Sequence, residues 1–248
     1  MKHKGKFLAV AALIFCMTQV WAQGTASKED NAPSKEVERV QAAAKVLDEI
    51  MSTPDKGIPQ EVLESAKCIG VVPSMLKAGF VVGGSYRKGV ATCHTASGWS
   101  APAPFIVAGG SGGLQIGGEA VDLVMLVVND KGMQHLLSSK FKLGADASVA
   151  AGPVGRHAEG DTDWKMRSEV LTYSRARGVF AGLTLDGAVI KQNDDETRVL
   201  YNQMVPFKDI LTGTVSAPRG TESFVATVEK YATQAKTEER SATTPPRQ

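Results

Sequence analysis

The first strong pattern along this chain of 248 residues is helical. Apolar residues recur at spacings of three and four between charged residues, at Val37, Val40, Ala44, Leu47 and Met51. This spacing predicts an amphipathic helix over residues 34–51, with Ser34 as its N-cap. Such a helix usually packs its apolar stripe on a domain core, and contact with a membrane surface is the alternative.

The middle of the chain changes to short β-type runs that are separated by glycine and proline, such as residues 68–72 and 80–82. Between Gly79 and Gly187 lie 19 of the 25 glycines. Glycine inside strands implies tight bends or close approach of backbones, so we expect a bent, glycine-rich sheet. The continuous apolar run at residues 121–128 is typical of a strand that is buried on both faces.

Helical patterns also occur before, within and after this stretch, at residues 59–66, 131–139, 194–204, 206–211 and 221–234. The predicted class is therefore α+β: a glycine-rich, mainly antiparallel β-sheet in a single domain, covered by N- and C-terminal helices. Composition divides the rest of the chain, because the ends are polar and poor in large apolar residues. We assign residues 23–33 to a flexible N-terminal segment, 34–213 to the domain, 214–236 to a C-terminal helical extension and 237–248 to a disordered tail.

The N-terminus has the pattern of a secretory signal peptide. Lys2, Lys4 and Lys6 precede an apolar run over residues 7–20, which is too short to span a bilayer, and small residues follow up to Ala22. We expect cleavage after Ala22, so that residues 1–22 are removed. The mature protein is then exported to the periplasm or the extracellular space.

Export changes the charge of the chain and the number of its cysteines. The 28 basic residues become 25 against 26 acidic ones, because Lys2, Lys4 and Lys6 leave with the signal. Without a basic surplus, the mature chain has no general attraction for nucleic acid, and any affinity for anionic lipid needs a local patch. Cys68 and Cys93 remain, an even count that permits one disulfide in an oxidising compartment; two buried thiols are the alternative.

Candidate metal ligands are sparse, and no cofactor is predicted. His94, His135 and His157 show no close paired spacing. The acidic run at residues 193–196 lacks the calcium-loop pattern, and it fits the start of a helix, where the helix dipole stabilises acidic groups.

Several separated blocks occur in an order that resembles the SYLF domain family, also called the Las17-binding or Ysc84-type domain. The blocks are AKCIGVVPSMLKAGFVVGG at residues 66–84, residues 99–102 and 109–122, LGADASVAAGPVGR at 143–156, YSRARGVFAGLTLDGAVI at 173–190, Leu200-Tyr201 and PFKDILTG. The resemblance covers approximately residues 36–213. It implies a module associated with lipid and actin, in which the N-terminal segment contacts lipid.

Two departures from the family pattern shape the expected partner. Eukaryotic members commonly carry an SH3 or FYVE module that recruits actin-assembly factors, whereas only a short polar tail follows the domain in this sequence. An exported chain would also not ordinarily meet actin. We therefore expect membrane phospholipid or another lipid as the partner and a non-enzymatic role in the cell envelope, with actin unlikely and any protein partner unknown. An envelope protein that binds a protein partner and no lipid is an alternative.

A lipid headgroup phosphate requires Arg or Lys beside free backbone N–H groups, which glycine turns expose. Arg87-Lys88-Gly89, predicted as a hairpin turn, and Gly155-Arg156-His157 after a Gly-Pro turn meet this description. Weaker candidates are Lys77, Arg175 and Arg177. The alternative is that all of these residues are ordinary solvated charges.

A second alternative is a lipid-active serine hydrolase. Residues 109–113 fit G-x-S-x-G around Ser111, and Asp122 or Asp146 with His135 or His157 gives the chain order Ser, Asp, His. However, a β-type run follows the motif in place of the helix that a nucleophile elbow needs.

Two acidic residues in GGEAVDLVML, Glu119 and Asp122, flank apolar strand residues. We expect them to belong to a structural polar network with Trp99, Tyr173 or backbone N–H groups, because buried carboxylates need partners. A catalytic pair of acids is the alternative.

Overall fold

The computed structural model describes residues 33–52, 57–74, 86–109, 121–153, 168–176, 179–182 and 185–243. Within these ranges the helices are α1 Lys35–Met51, α2 Gln60–Ser65, α3 Asp130–Leu137, α4 Asp194–Tyr201, α5 Phe207–Leu211 and α6 Glu222–Thr243. The strands are β1 Cys68–Val72, β2 Tyr86–Thr95, β3 Gly98–Trp99, β4 Ala103–Ala108, β5 Val121–Val127, β6 Lys140–Lys142, β7 Val149–Ala151, β8 Val170–Ala176, β9 Val179–Gly182 and β10 Val189–Gln192. The predicted α+β class is confirmed.

The strands form one sheet in the order β6-β10-β4-β2-β1-β5-β8-β7, with β3 paired to β2 and β9 paired to β8. Pairing is antiparallel except between β7 and β8. The two outermost strands, β6 and β7, are consecutive in the chain, and a tight turn with a bridge between Leu143 and Ala147 connects them. The sheet is therefore curled, and its first and last strands come close together.

Alternating side chains of the central strands enter two separate cores. In β1, Cys68 and Val72 belong to the inner core, which α3 and α5 also line. Ile69 and Val71 point the other way, into the outer core that α1, α2 and α6 cover. Every residue of β5 is buried, which confirms the prediction of a strand that is buried on both faces.

Side-chain caps fix several helix ends. The Ser34 hydroxyl accepts a hydrogen bond from the Val37 N–H at 3.4 Å, as predicted for the start of α1. The Asn193 side chain accepts from the Glu196 N–H at 3.3 Å, so the acidic run does begin a helix. Asn202 takes a left-handed conformation with φ 56° and ends α4 before the predicted residue 204. In contrast, α6 continues to Thr243, beyond the predicted end at residue 234.

The predicted hairpin turn at residues 87–89 is wrong, because these residues lie inside β2. Gly89 is needed there for packing and not for a turn. A Cβ atom at this position would lie 2.6 Å from the Val71 carbonyl oxygen and 2.7 Å from the Phe105 ring. This is the close approach that glycine in strands implied.

A disulfide joins β1 to β2. Cys68 and Cys93 are direct cross-strand partners, both fully buried, with an S–S distance of 2.05 Å. The His94 N–H donates to the Lys67 carbonyl at 2.7 Å, so the two cysteines occupy a non-hydrogen-bonded pair. In such a pair the Cα atoms of antiparallel strands are closest, which favours a bridge between them. No helix in the described ranges has both the length and the apolarity that are needed to cross a bilayer.

Candidate functional site

Asp122 on β5 is the centre of a buried ion-pair network. Its Oδ1 atom accepts hydrogen bonds from the Ser74 backbone N–H at 2.8 Å and the Ser74 hydroxyl at 2.7 Å. Its Oδ2 atom accepts from Arg175 Nε at 3.0 Å and Nη2 at 2.6 Å. The predicted structural role of Asp122 is thus confirmed, with the Ser74 N–H as the backbone donor and Arg175 in place of Trp99 or Tyr173. Glu119 lies outside the described residues.

The same arginine connects the sheet to the outer helix layer. Arg175 Nη1 lies 2.6 Å from the Glu49 Oε2 atom on α1. Burial lowers the pKa of the Arg175 guanidinium, but the hydrogen bonds to Asp122 and Glu49 outweigh this effect and raise its pKa above the usual value. Arg175 therefore stays charged and fixes β8 against β5 and α1.

Glu196 on α4 is the centre of a second network. Its side chain is 4% exposed, and its Oε1 atom lies 2.8 Å from Lys88 Nζ on β2. Arg39 on α1 donates from Nε to both carboxylate oxygens at 3.2 Å. A buried carboxylate needs such partners, and here two cations from different elements provide them.

Arg87, adjacent to Lys88, is also engaged within the protein. Its Nη1 atom donates to the Val121 carbonyl at 2.8 Å. Burial lowers the pKa of Arg87 below the usual arginine value, and the nearby Asp122 carboxylate opposes this shift.

Three of the six predicted lipid-binding residues, Arg87, Lys88 and Arg175, thus have internal partners. The structure brings Arg87 and Arg175 near the same carboxylate, Asp122, whereas Lys88 contacts Glu196 on α4. The other three, Lys77, Arg156 and Arg177, lie outside the described residues.

The hydrolase alternative needs an Asp and a His that are placed together beside Ser111. Ser111 and His157 lie outside the described residues, and the described candidates Asp122, Asp146 and His135 have other partners. Asp122 is saturated by Ser74 and Arg175, and the Asp146 carboxylate accepts the Lys142 N–H at 2.7 Å. His135 faces Glu169 instead, with Nε2 and Oε2 3.6 Å apart. No cluster of three or more His, Cys, Asp or Glu side chains that could hold a metal occurs within the described ranges.

A surface groove of about 710 Å³ lies beside the C-terminal end of α4. Its lining residues are Leu200, Tyr201, Asn202, Gln203, Val205, Val215, Ser216, Pro218 and Arg219. None of these is a carboxylate, a histidine or a cysteine, and the Tyr201 hydroxyl donates to the Pro102 carbonyl at 2.8 Å. Burial raises the pKa of Tyr201 far above its usual value. The groove thus resembles a binding surface more than a centre for acid–base chemistry.

A set of exposed cations that the sequence analysis missed lies on β6 and β10. Lys140, Lys142 and Lys191 are exposed, and none forms an ion pair with a residue that the structure describes. On the same side of the sheet, Ile106 lies opposite Lys191 and Val189 lies opposite Lys142, and Tyr86 lies further along the cross-strand row of Val189 and Lys142. We call these six residues the lysine face. The alternation Lys140-Phe141-Lys142 was the available signal, since it places two lysines on one side of a strand.

Comparison with known proteins identifies the class of this domain. The model of the family described as "Ysc84: Las17-binding protein actin regulator" matches residues 108–231. The chain belongs to this family, as the ordered blocks predicted.

Similarity extends to several curated relatives. SH3 domain-containing YSC84-like protein 1 of Rattus norvegicus is 33% identical over 213 residues, which is 83% of this chain and 62% of the relative. The Homo sapiens protein of the same name is 32% identical over 206 residues, 80% of this chain and 60% of the relative. Protein YSC84 of Saccharomyces cerevisiae is 32% identical over 182 residues, which is 72% of this chain and 39% of the relative. The chain spans less than two thirds of the length of these relatives.

The expected partner is corrected by these matches. Membrane phospholipid or another lipid was the expected partner and actin was considered unlikely, because export and the lack of a recruiting module were expected. The matching family is instead described by binding to Las17 and by regulation of actin, and the relatives carry YSC84-like names. The expected lipid partner was wrong, because it was inferred from the expected export and the short C-terminal tail and not from the domain itself.

Proposed function

We propose that this chain is a non-enzymatic binding domain whose partners are proteins of the actin-assembly machinery. The family match carries the proposal, because it covers residues 108–231, from the end of β4 into α6. The family is described by what it binds and regulates and not by a reaction.

Side-chain contacts favour binding over chemistry. The buried carboxylates of Asp122 and Glu196 are neutralised within the fold, and the groove beside α4 is lined without an acid–base pair. Phosphate recognition by Lys88 or Arg175, two of the candidates of the envelope lipid-binding hypothesis, would remove a cation from the buried carboxylate of Glu196 or Asp122, at a cost in stability. These contacts therefore give more support to a protein partner.

Co-sedimentation with filamentous actin tests the partner class directly. The chain from residue 23 onward should pellet with filaments in a saturable way, and beads that carry Las17 should retain it. An unrelated globular protein of similar size is the control for trapping in the pellet. Absence from both the filament pellet and the Las17 beads would contradict the proposal.

We also propose that the chain is exported. The signal-like N-terminus supports export, and so does the buried Cys68–Cys93 disulfide, because such bonds persist mainly in oxidising compartments. Expression of the full chain with cell fractionation should give a periplasmic or secreted product that begins at Gln23, with a mass that increases by two hydrogens on reduction. An uncleaved cytosolic product with two free thiols would be the opposite result. Because export and cytosolic actin belong to different compartments, the two proposals are tested separately.

A further inference from the structure

The lysine face is a regular array on the outer side of the curled sheet. One cross-strand row runs from Tyr86 through Ala108 and Val189 to Lys142. The next row runs from Lys88 through Ile106 and Lys191 to Lys140. Side chains of directly opposed residues lie on the same side of a sheet, so the two rows form one continuous surface.

The charges on this face do not stabilise the fold. Lys140 lies directly opposite Lys191, and like charges in such positions repel each other. Lysines on an edge strand can prevent one sheet from pairing with another, and this would account for Lys140 and Lys142 on β6. It does not account for Lys191, because β10 is paired on both sides, with β6 and with β4.

The composition of the face indicates the chemistry of its partner. The half-buried Val189 and Ile106 lie directly opposite Lys142 and Lys191, and Tyr86, which is 47% exposed, lies at the β2 end of the same surface. Exposed apolar and aromatic side chains next to charged ones are typical of protein interfaces. Of the nearby acids, Glu196 pairs with Lys88, and Asp146 accepts a hydrogen bond from the Lys142 backbone N–H.

We propose that the lysine face docks an acidic surface of a partner protein. The choice of a protein rests on the proposed function, and the choice of an acidic surface rests on charge complementarity with Lys140, Lys142 and Lys191. Nucleic acid is a poorer fit, since the mature chain has 25 basic residues against 26 acidic ones.

The test compares two charge-reversed variants of the chain from residue 23 onward. Lys140→Glu/Lys191→Glu alters the lysine face and keeps a like-charge pair across β6 and β10, so the stability of the sheet should change little. Lys35→Glu/Lys208→Glu is the matched control, because it makes the same change in net charge at exposed positions on α1 and α5. Thermal unfolding of both variants checks that they are folded.

Three probes are used: filamentous actin, a synthetic polyglutamate peptide and vesicles that contain phosphatidylserine. We expect the wild-type chain to bind at least one of the two acidic protein probes. The lysine-face variant should bind that probe about tenfold more weakly, and the control variant should bind like the wild type. The difference should shrink as salt is raised, because exposed charges are screened.

The other outcomes separate this inference from the proposed function. Equal binding by the lysine-face variant and the control overturns the inference, whether or not actin is bound. Binding of the wild type to vesicles alone, or to none of the probes, overturns it as well. Lysine-dependent binding to polyglutamate without binding to actin or Las17 would support the inference while the proposed partner class fails.

Discussion

Lys88 and Lys191 occupy the same cross-strand row, separated by Ile106 on β4, yet their surroundings are opposite. Lys88 reaches the buried carboxylate of Glu196, whereas Lys191 is exposed and faces another lysine. Lys88 thus connects α4 to the sheet, whereas Lys191 has no ion-pair partner among the described residues. The comparison teaches that the partner of a basic side chain, and not its sequence context, decides whether it serves the fold or is available to another molecule.

Removal of the buried acid should have the largest effect on this comparison. Glu196→Ala leaves Lys88 and Arg39 without their carboxylate, so we expect the free energy of unfolding to fall by about 3–5 kcal/mol. Denaturant unfolding measures this loss. The matched control is Asp195→Ala, because the Asp195 side chain is 95% exposed and its variant should lose less than about 0.5 kcal/mol. If both variants lost the same free energy of unfolding, burial of the ion pair at Glu196 would not explain its contribution to stability.

Asp122→Asn should have a somewhat smaller effect. The shape of the side chain is kept, but Arg175 loses the charge that it contacts at 2.6 Å, so we expect a loss of about 2–3 kcal/mol. The control is Asp130→Asn, which alters an exposed acid that lies 3.3 Å from Lys67. A stability unchanged by Asp122→Asn would mean that Ser74, and not the ion pair, holds this end of β5.

The two lysines can also be compared directly. Lys88→Met should destabilise the fold by about 1 kcal/mol, since Arg39 still neutralises part of Glu196. Lys191→Met should be neutral or stabilising by about 0.3 kcal/mol, because it removes repulsion from Lys140. A double-mutant cycle between Lys140 and Lys191 checks that the coupling is repulsive and disappears at high salt. An attractive coupling would contradict the picture of an unpaired face.

The smallest expected effect concerns an exposed pair between α1 and α6. Hydrogen bonds from Tyr231 and Lys230 lower the pKa of Asp48 below 3.8. Because the folded-state pKa is the lower one, this interaction stabilises the fold above about pH 4, and the stabilisation is lost as the pH falls through the folded-state value. Unfolding measured against pH should show a shallower acid-side slope for Asp48→Asn than for the wild type. Identical slopes would contradict a contribution of Asp48 to the acid sensitivity of the fold.

Local patterns predicted much of the fold. The apolar spacing and Ser34 located α1, the continuous apolar run located β5, and Asn193 with its acidic successors located the start of α4. Each of these features depends on residues that are close in sequence. Glycine at position 89 was misread as a turn because its cause, the approach of Val71 and Phe105, is a contact between strands.

The candidate sites were harder to predict for the same reason. Glu196 fitted a helix start, but its partner Arg39 lies 157 residues away along the chain. The lysine face depends on the register that places Lys140 opposite Lys191. This register cannot be derived from single residue types and their spacing. For that reason the sequence-based prediction selected basic residues next to glycine, such as Arg87 and Arg156, and missed the lysines of β6 and β10.

The contact between α1 and α6 also constrains how the protein is made. Lys230 Nζ on α6 lies 2.9 Å from Asp48 on α1, 182 residues earlier in the chain. Tyr231 and Phe224 complete the core into which Leu47 packs. The outer core therefore cannot close while the C-terminal helix is still on the ribosome or inside a translocation channel. The N-terminal helix α1 therefore cannot complete its packing until almost the whole chain has been made. Until then the chain is incompletely folded, and incomplete folding is what passage across a membrane in the unfolded state requires.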